Sequence, residues 1–380
     1  MIFFKQLEQV NKAFWYHTVF RWWFRNAPAR LPLNLMHVRR LLIMRRDMIG
    51  DMVITTSLIR TLYEKNPDLE IDVFASPQNK IIVQHNPRVQ RVFASPVPSR
   101  ELLGDLPALK ARDYDAVLCL SYTGATKDGL IANFISPRAV KAAVYETRNA
   151  DLYKSLFNAQ IDIGRADGEP REPLYLALHR FASQLFGFEL KPQEIKQELY
   201  FSGADEENAK AFIAAMHLNR FIVFNISARK AFRMWGVENC CRFLLQVSEA
   251  YPDLQFVITS APAEREAAEE LFRRVAKRNV IIVPPEFSLL TLACLISQAS
   301  AAISPDTAVV HIAATYHIPM VILCTPLSSS IEWEPLHAPH INVATDGEEA
   351  VSTIAPHRVA AAFDQLYAAH LAPAASTHSL

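Results

Sequence analysis

Short apolar runs recur along the chain, separated by segments whose apolar residues fall at helical spacing. Residues 40–44, 71–74, 89–93, 116–120 and 140–144 read as strands, with helical segments between several of them. After a turn at Ile49 and Gly50, for example, Val53, Leu58, Ile59 and Leu62 mark one helix face. A polar stretch at 161–173, with Gly164, Gly168 and two prolines, precedes a helix at 174–186 and a loop ending near 201–203. Alternation then resumes. Strands are predicted at 221–224, 256–258, 280–283, 301–303 and 319–324, and helices at 237–250, 263–277, 289–299 and from Asp306 onward. Strand and helix in alternation predict mostly parallel sheets covered on both faces, an α/β fold of two doubly wound, Rossmann-like halves. The first spans 38–200 and the second 201–370, followed by a disordered tail at 371–380.

Residues 1–37 follow a different pattern. Phe3, Phe4, Leu7, Val10 and Phe14 are helically spaced, an aromatic run includes Trp15, Tyr16, Trp22 and Trp23, and Lys5, Lys12, Arg21, Arg25 and Arg30 face only Glu8. Charges throughout exclude a spanning helix, and no apolar core of a signal peptide is present. Two readings remain: an amphipathic helix lying on an anionic membrane surface, or a helix packed on the protein's own body.

Composition narrows the function classes. A length of 380 residues with 51% hydrophobic positions suits two globular domains. Thirty-nine basic residues balance thirty-nine acidic ones, so nothing global points to nucleic acid. The five cysteines sit in apolar runs without C-x-x-C spacing, as reduced packing residues do, and no metal-ligand motif occurs. G-x-G-x-x-G and Walker motifs are also absent.

Two doubly wound halves place ligands in a cleft at the carboxyl ends of their strands. The first strand leads to Arg46, Asp47, Gly50 and Asp51. Gly50 permits a tight turn or close approach of a substrate. Asp51 is a candidate general base for an acceptor hydroxyl, or else a helix-start acid. A helix N-terminus and two arginines keep Asp51 ionised and weaken it as a base, which positioning would have to offset. In the second half, the strand through Phe224 leads to Ser227, Lys230, Arg233 and Trp235, a loop suited to a diphosphate or to solvent. Glu264 is a candidate ribose ligand or a first-turn helix acid. Asp306, Thr307, Ala308 and His311 follow another strand at a helix start, where unpaired N–H groups favour an anion. Asp306 as a plain helix cap with an interior His311 is the simpler reading of that stretch.

Taken in order, Gly50-Asp51, Arg233-x-Trp235 and Asp306-Thr307-Ala308 with His311 resemble the glycosyltransferase family that contains the ADP-heptose:lipopolysaccharide heptosyltransferases. The agreement in order and spacing runs from about residue 39 to residue 345. The resemblance implies two Rossmann-like domains of the GT-B type and a metal-independent, inverting transferase without a cofactor. Its nucleotide-sugar donor would be ADP-heptose or similar, its acceptor a lipid-linked saccharide of the lipopolysaccharide inner core, and its place the inner face of the cytoplasmic membrane. By the same analogy Asp51 is the base, and Arg233, Thr307 and His311, with backbone N–H groups near Ala308, hold the donor diphosphate. Two departures stand out: Ala308 where the family usually has glycine, and Asp47-Met48 in place of small hydroxyl residues. Another nucleotide sugar or glycan acceptor, a sugar-nucleotide epimerase, and a non-catalytic membrane-associated scaffold are the alternatives.

Overall fold

The structure, a computed structural model, describes residues 23–24, 26–97, 99–121, 125–144, 150–163, 172–189, 191–326, 331–347 and 349–372. Most of the amphipathic segment expected at the N-terminus, 1–22, lies outside the described residues, as does the tail from 373. The chain divides into two compact units, Met1–Leu199 and Tyr200–Leu380.

The first unit runs β1 (Arg40–Arg45), α1 (Ile49–Lys65), β2 (Glu70–Ala75), β3 (Val89–Phe93), α2 (Arg100–Ala111), β4 (Ala116–Cys119), α3 (Ala125–Ile135), β5 (Val140–Val144), α4 (Ala150–Leu156), β6 (Ala159–Ile161) and α5 (Leu174–Phe186). Its strands form one parallel sheet in the order β3-β2-β1-β4-β5-β6. Leu41, Leu42, Ile43 and Met44 of β1 are fully buried, as an apolar run covered on both faces requires. Ser99 caps α2 by accepting the Leu102 N–H, and Gly187, at φ 74°, ends α5 in the left-handed conformation that glycine adopts without penalty.

The second unit repeats the plan: α6 (Gly203–Ala215), β7 (Phe221–Asn225), α7 (Val237–Ala250), β8 (Gln255–Thr259), α8 (Arg265–Val275), β9 (Val280–Ile282), α9 (Leu289–Ile296), β10 (Ala301–Pro305), α10 (Ala308–Thr315), β11 (Met320–Cys324), β12 (His340–Ala344) and α11 (Pro356–Leu366). The sheet order, β12-β11-β10-β7-β8-β9, is again parallel throughout. Read from its other edge, it matches the first sheet strand for strand. In each unit the order reverses between the first and fourth strands, and ligands of open α/β sheets bind at the carboxyl ends of such a switch point. Those ends carry Arg45 and Ser121 in the first unit, and Asn225 and Ser304 in the second.

Three local expectations are corrected. Gly50 is not in a tight turn but is the second residue of α1, with no positive φ. α10 starts at Ala308 rather than Asp306, with Thr307 in the cap position, because the Asp306 carboxylate is committed elsewhere. Strands β6 and β12 and helices α6 and α11 extend the predicted set. Among the described residues no helix is long and apolar enough to cross a membrane.

Candidate functional site

In the first unit the chain leaves β1 through a loop held by buried polar groups. Arg45 is fully buried: one guanidinium nitrogen (Nη2) donates to Asp51 Oδ1 at 3.1 Å, the other (Nη1) lies 3.6 Å from Asp47 Oδ2 and donates to the Leu120 carbonyl. The second oxygen of Asp51 accepts the Met48 N–H at 2.9 Å, so Asp51 closes the first turn of α1. Asn79, also buried, donates to the carbonyls of Arg45 (3.1 Å) and Asp47 (3.3 Å) and fixes the loop from outside. Asp51 is 5% exposed.

Arg46 points to a different partner. Its Nε donates to Asp128 Oδ1 at 2.9 Å, its guanidinium lies 5.6 Å from the Phe74 ring centre, and its backbone N–H donates to Ser121 Oγ. Burial pushes Asp128, in the first turn of α3, up to about 6, against the opposing pull of Arg46. Two guanidinium groups thus stand among three carboxylates at the end of β1.

In the second unit, Asn225 ends β7 and binds the neighbouring strand end. Its Nδ2 donates to Ser304 Oγ (2.9 Å), Thr307 Oγ1 (3.3 Å) and the Ser227 carbonyl (3.1 Å). Ser227 Oγ accepts the Ala261 N–H at 2.7 Å, linking the loops after β7 and β8. Trp235 anchors the loop that follows. Its indole N–H donates to the Ile354 carbonyl at 2.7 Å, and its ring meets Phe243 edge-on at 5.7 Å. Gly236, at φ 89°, then turns the chain into α7.

That anchor sets Arg233, whose Nη1 donates to Asp306 Oδ2 at 3.0 Å. Burial raises the pKa of Asp306, while His311 and Arg233 pull it down. His311 is 5% exposed, and burial lowers its pKa, opposed by Asp306. At this place two buried nitrogens, Arg233 Nε and His311 Nδ1, have no hydrogen-bond partner among the described residues. No side chain caps the first turn of α10. Buried unpaired groups are uncommon, and two beside an uncapped helix start make a site suited to an anion.

The structure therefore brings together Arg233, Asp306, Thr307 and His311, with Ala308 as the first residue of α10 and Ser227 joined through Asn225. It does not bring in Lys230, which is exposed with its ammonium 5.6 Å from the Phe232 ring, or Glu264, which ends a short turn before α8. Asp47, Gly50 and Asp51 sit in one loop and helix start, whereas Arg46 is turned to Asp128. Sequence reasoning counted Arg45 only as one of two arginines beside Asp51, and it missed Asn79, Asp128, Asn225 and Ser304. Asn225, a polar residue closing an apolar strand, offered a signal; Asn79 offered none. Among the described residues no three His, Cys, Asp or Glu side chains are grouped to hold a metal ion.

The family model described as Glycosyltransferase family 9 (heptosyltransferase) matches residues 106–355. Lipopolysaccharide heptosyltransferase 3 of Escherichia coli K12 is 22% identical over 300 residues, which cover 75% of this chain and 82% of that protein. A glycosyl transferase family 9 structure from Veillonella parvula has a TM-score of 0.72 at 15% identity, covering 89% of this chain and 99% of that one. The ADP-heptose LPS heptosyltransferase II structure from E. coli has a TM-score of 0.67 at 20% identity, covering 88% of this chain and all (100%) of its own. At these identities the structural likeness is one of fold.

Proposed function

Since the chain belongs to glycosyltransferase family 9, the heptosyltransferases, we propose that it moves a heptose from ADP-heptose to the inner core of a lipopolysaccharide. The observation that carries the donor half is the pair of buried, unpaired nitrogens, Arg233 Nε and His311 Nδ1, beside the uncapped start of α10. Both can donate to phosphate oxygens, the imidazole in the tautomer with Nδ1 protonated. The likeness to the E. coli ADP-heptose LPS heptosyltransferase II supports the choice of nucleotide.

In this reading the acceptor hydroxyl attacks the anomeric carbon from the face opposite the diphosphate, inverting the configuration. The C–O bond to the diphosphate breaks, and the hydroxyl proton passes to Asp51. Arg45 and the Met48 N–H hold that carboxylate oriented. Negative charge builds on the departing ADP, where Arg233 and the N-terminus of α10 stabilise it. The donor is a substrate, and no cofactor or metal takes part. The reaction takes place at the inner face of the cytoplasmic membrane, where a lipid-linked acceptor is met.

Thermal shift against a panel of nucleotides and nucleotide sugars tests the reading. ADP and ADP-heptose should raise the melting temperature, since a ligand at 100 times its Kd adds about 2.7 kcal/mol of stability. A shift confined to uridine or guanosine nucleotides would replace ADP-heptose by another donor. No shift with any nucleotide would favour a non-catalytic scaffold.

A further inference from the structure

The flank of the first unit formed by α2 and α3 carries apolar side chains that the proposed chemistry does not use. Leu103, Pro107 and Lys110 share one face of α2, at offsets of four and seven residues, and Lys127 and Phe134 share one face of α3 at an offset of seven. All five are exposed, Leu103 at 67% and Phe134 at 55%. The two faces adjoin, since the Lys110 ammonium lies 5.4 Å from the centre of the Phe134 ring. Trp23, at 78% the most exposed of the large hydrophobic residues described, precedes Phe24, which packs with Leu102 and Leu106 of α2 against the core.

The chain is fastened at this place. Asn26 donates to Asn133 Oδ1 (2.8 Å) and to the carbonyls of Ser155 (2.8 Å) and Leu156 (3.0 Å), and it accepts from buried Lys141 at 3.1 Å. Ala29 N–H donates to the Asn158 carbonyl at 2.8 Å. Asn133 belongs to α3, and Phe24 packs against the same core cluster as Leu102 and Leu106 of α2, so the chain on either side of position 25 is tied to the unit that carries this flank. The sequence before Trp23 is itself aromatic and basic.

We infer that the α2–α3 flank, with Trp23, docks on an anionic lipid bilayer. Exposed Trp, Leu and Phe bordered by lysines match an interface of acyl chains beneath negative headgroups. Lys110 and Lys127 supply the complementary charge, and neither exposed face carries an acid. The inference is independent of donor and reaction, because it concerns a surface outside the loops after β1, β4, β7 and β10.

Sedimentation of the full chain with vesicles tests it, using phosphatidylglycerol mixed with phosphatidylethanolamine against phosphatidylcholine alone. Wild type should bind the first and not the second, less so at high salt. Leu103→Ser and Phe134→Ser should each weaken partitioning about tenfold, with melting temperature and ADP binding unchanged because both side chains already face solvent. Equal binding of the variants and wild type would overturn the inference, as would equal binding to both vesicle types. Failure to bind either vesicle would also overturn it. So would a wild-type dimer that these substitutions convert to monomer, since a second copy would then cover the flank.

Discussion

Replacing Arg233 by methionine separates a ligand-binding arginine from one that only pairs with Asp306. The Nη1 bond to Asp306 Oδ2 is 3.0 Å, with 32% of the arginine side chain and 12% of the aspartate side chain exposed. Fully exposed pairs contribute about 0.2–1 kcal/mol, and breaking a fully buried pair costs about 3–5 kcal/mol. An intermediate pair should therefore lose about 1–2 kcal/mol of stability when broken. A phosphate held by Arg233 adds a second loss. A hydrogen bond to a charged group contributes about 1.5–3 kcal/mol, so ADP affinity should fall about 10- to 150-fold. Titration calorimetry with ADP and denaturant unfolding read the two losses independently. Arg233→Lys should lie between methionine and wild type for ADP, since it keeps the charge and loses the planar fork. Methionine-variant affinity within about threefold of wild type, together with the stability loss, would show that Arg233 serves Asp306 alone and would refute the phosphate role.

Three further substitutions probe other parts of the molecule. The folded state keeps the proton of Asp128 up to about pH 6, whereas the unfolded chain releases it near 3.8. Folding therefore takes up a proton between these values, and stability falls as pH rises through them. Wild type should gain on Asp128→Asn as pH drops from 7 towards 4, by about 3 kcal/mol at most, and parallel unfolding curves would contradict this. Trp235→Phe leaves the Ile354 carbonyl without its 2.7 Å donor, at a cost of about 1–3 kcal/mol; an unchanged denaturation midpoint would exclude that anchor. Ala308→Gly should tighten ADP binding if the methyl at the start of α10 crowds the phosphate, with about 1 kcal/mol of helix propensity lost. Equal calorimetric affinity would clear the methyl group.

The strands were legible because strands of a parallel sheet are buried on both faces and so appear as apolar runs, as at 41–44, 222–224 and 320–323. β6 escaped because its three residues, Ala159–Ile161, include a glutamine, and β12 because an edge strand can carry His340 and Asn342. α6 is marked only by a capping box at Ser202 and Asp205, inside a stretch that otherwise reads as loop. The motif residues could be found because each follows a strand. What they bond to could not, since it depends on distant parts of the chain. Two adjacent arginines look equivalent in sequence, yet Arg45 binds Asp51 while Arg46 turns to Asp128, 82 residues away. Asp306 likewise reads as a helix cap until Arg233, 73 residues earlier, is seen at its carboxylate. Asn79 gives no sign in the sequence of the loop it clamps.

Mass spectrometry of a heptose-deficient lipopolysaccharide after incubation with the protein and ADP-heptose tests heptosyl transfer most directly. Wild type should add one heptose and release one equivalent of ADP, and Asp51→Ala should add none while its calorimetric affinity for ADP stays near that of wild type. An acceptor unchanged with ADP-heptose but extended with another nucleotide sugar would contradict the assigned donor, and heptose transfer by Asp51→Ala would remove Asp51 as the base.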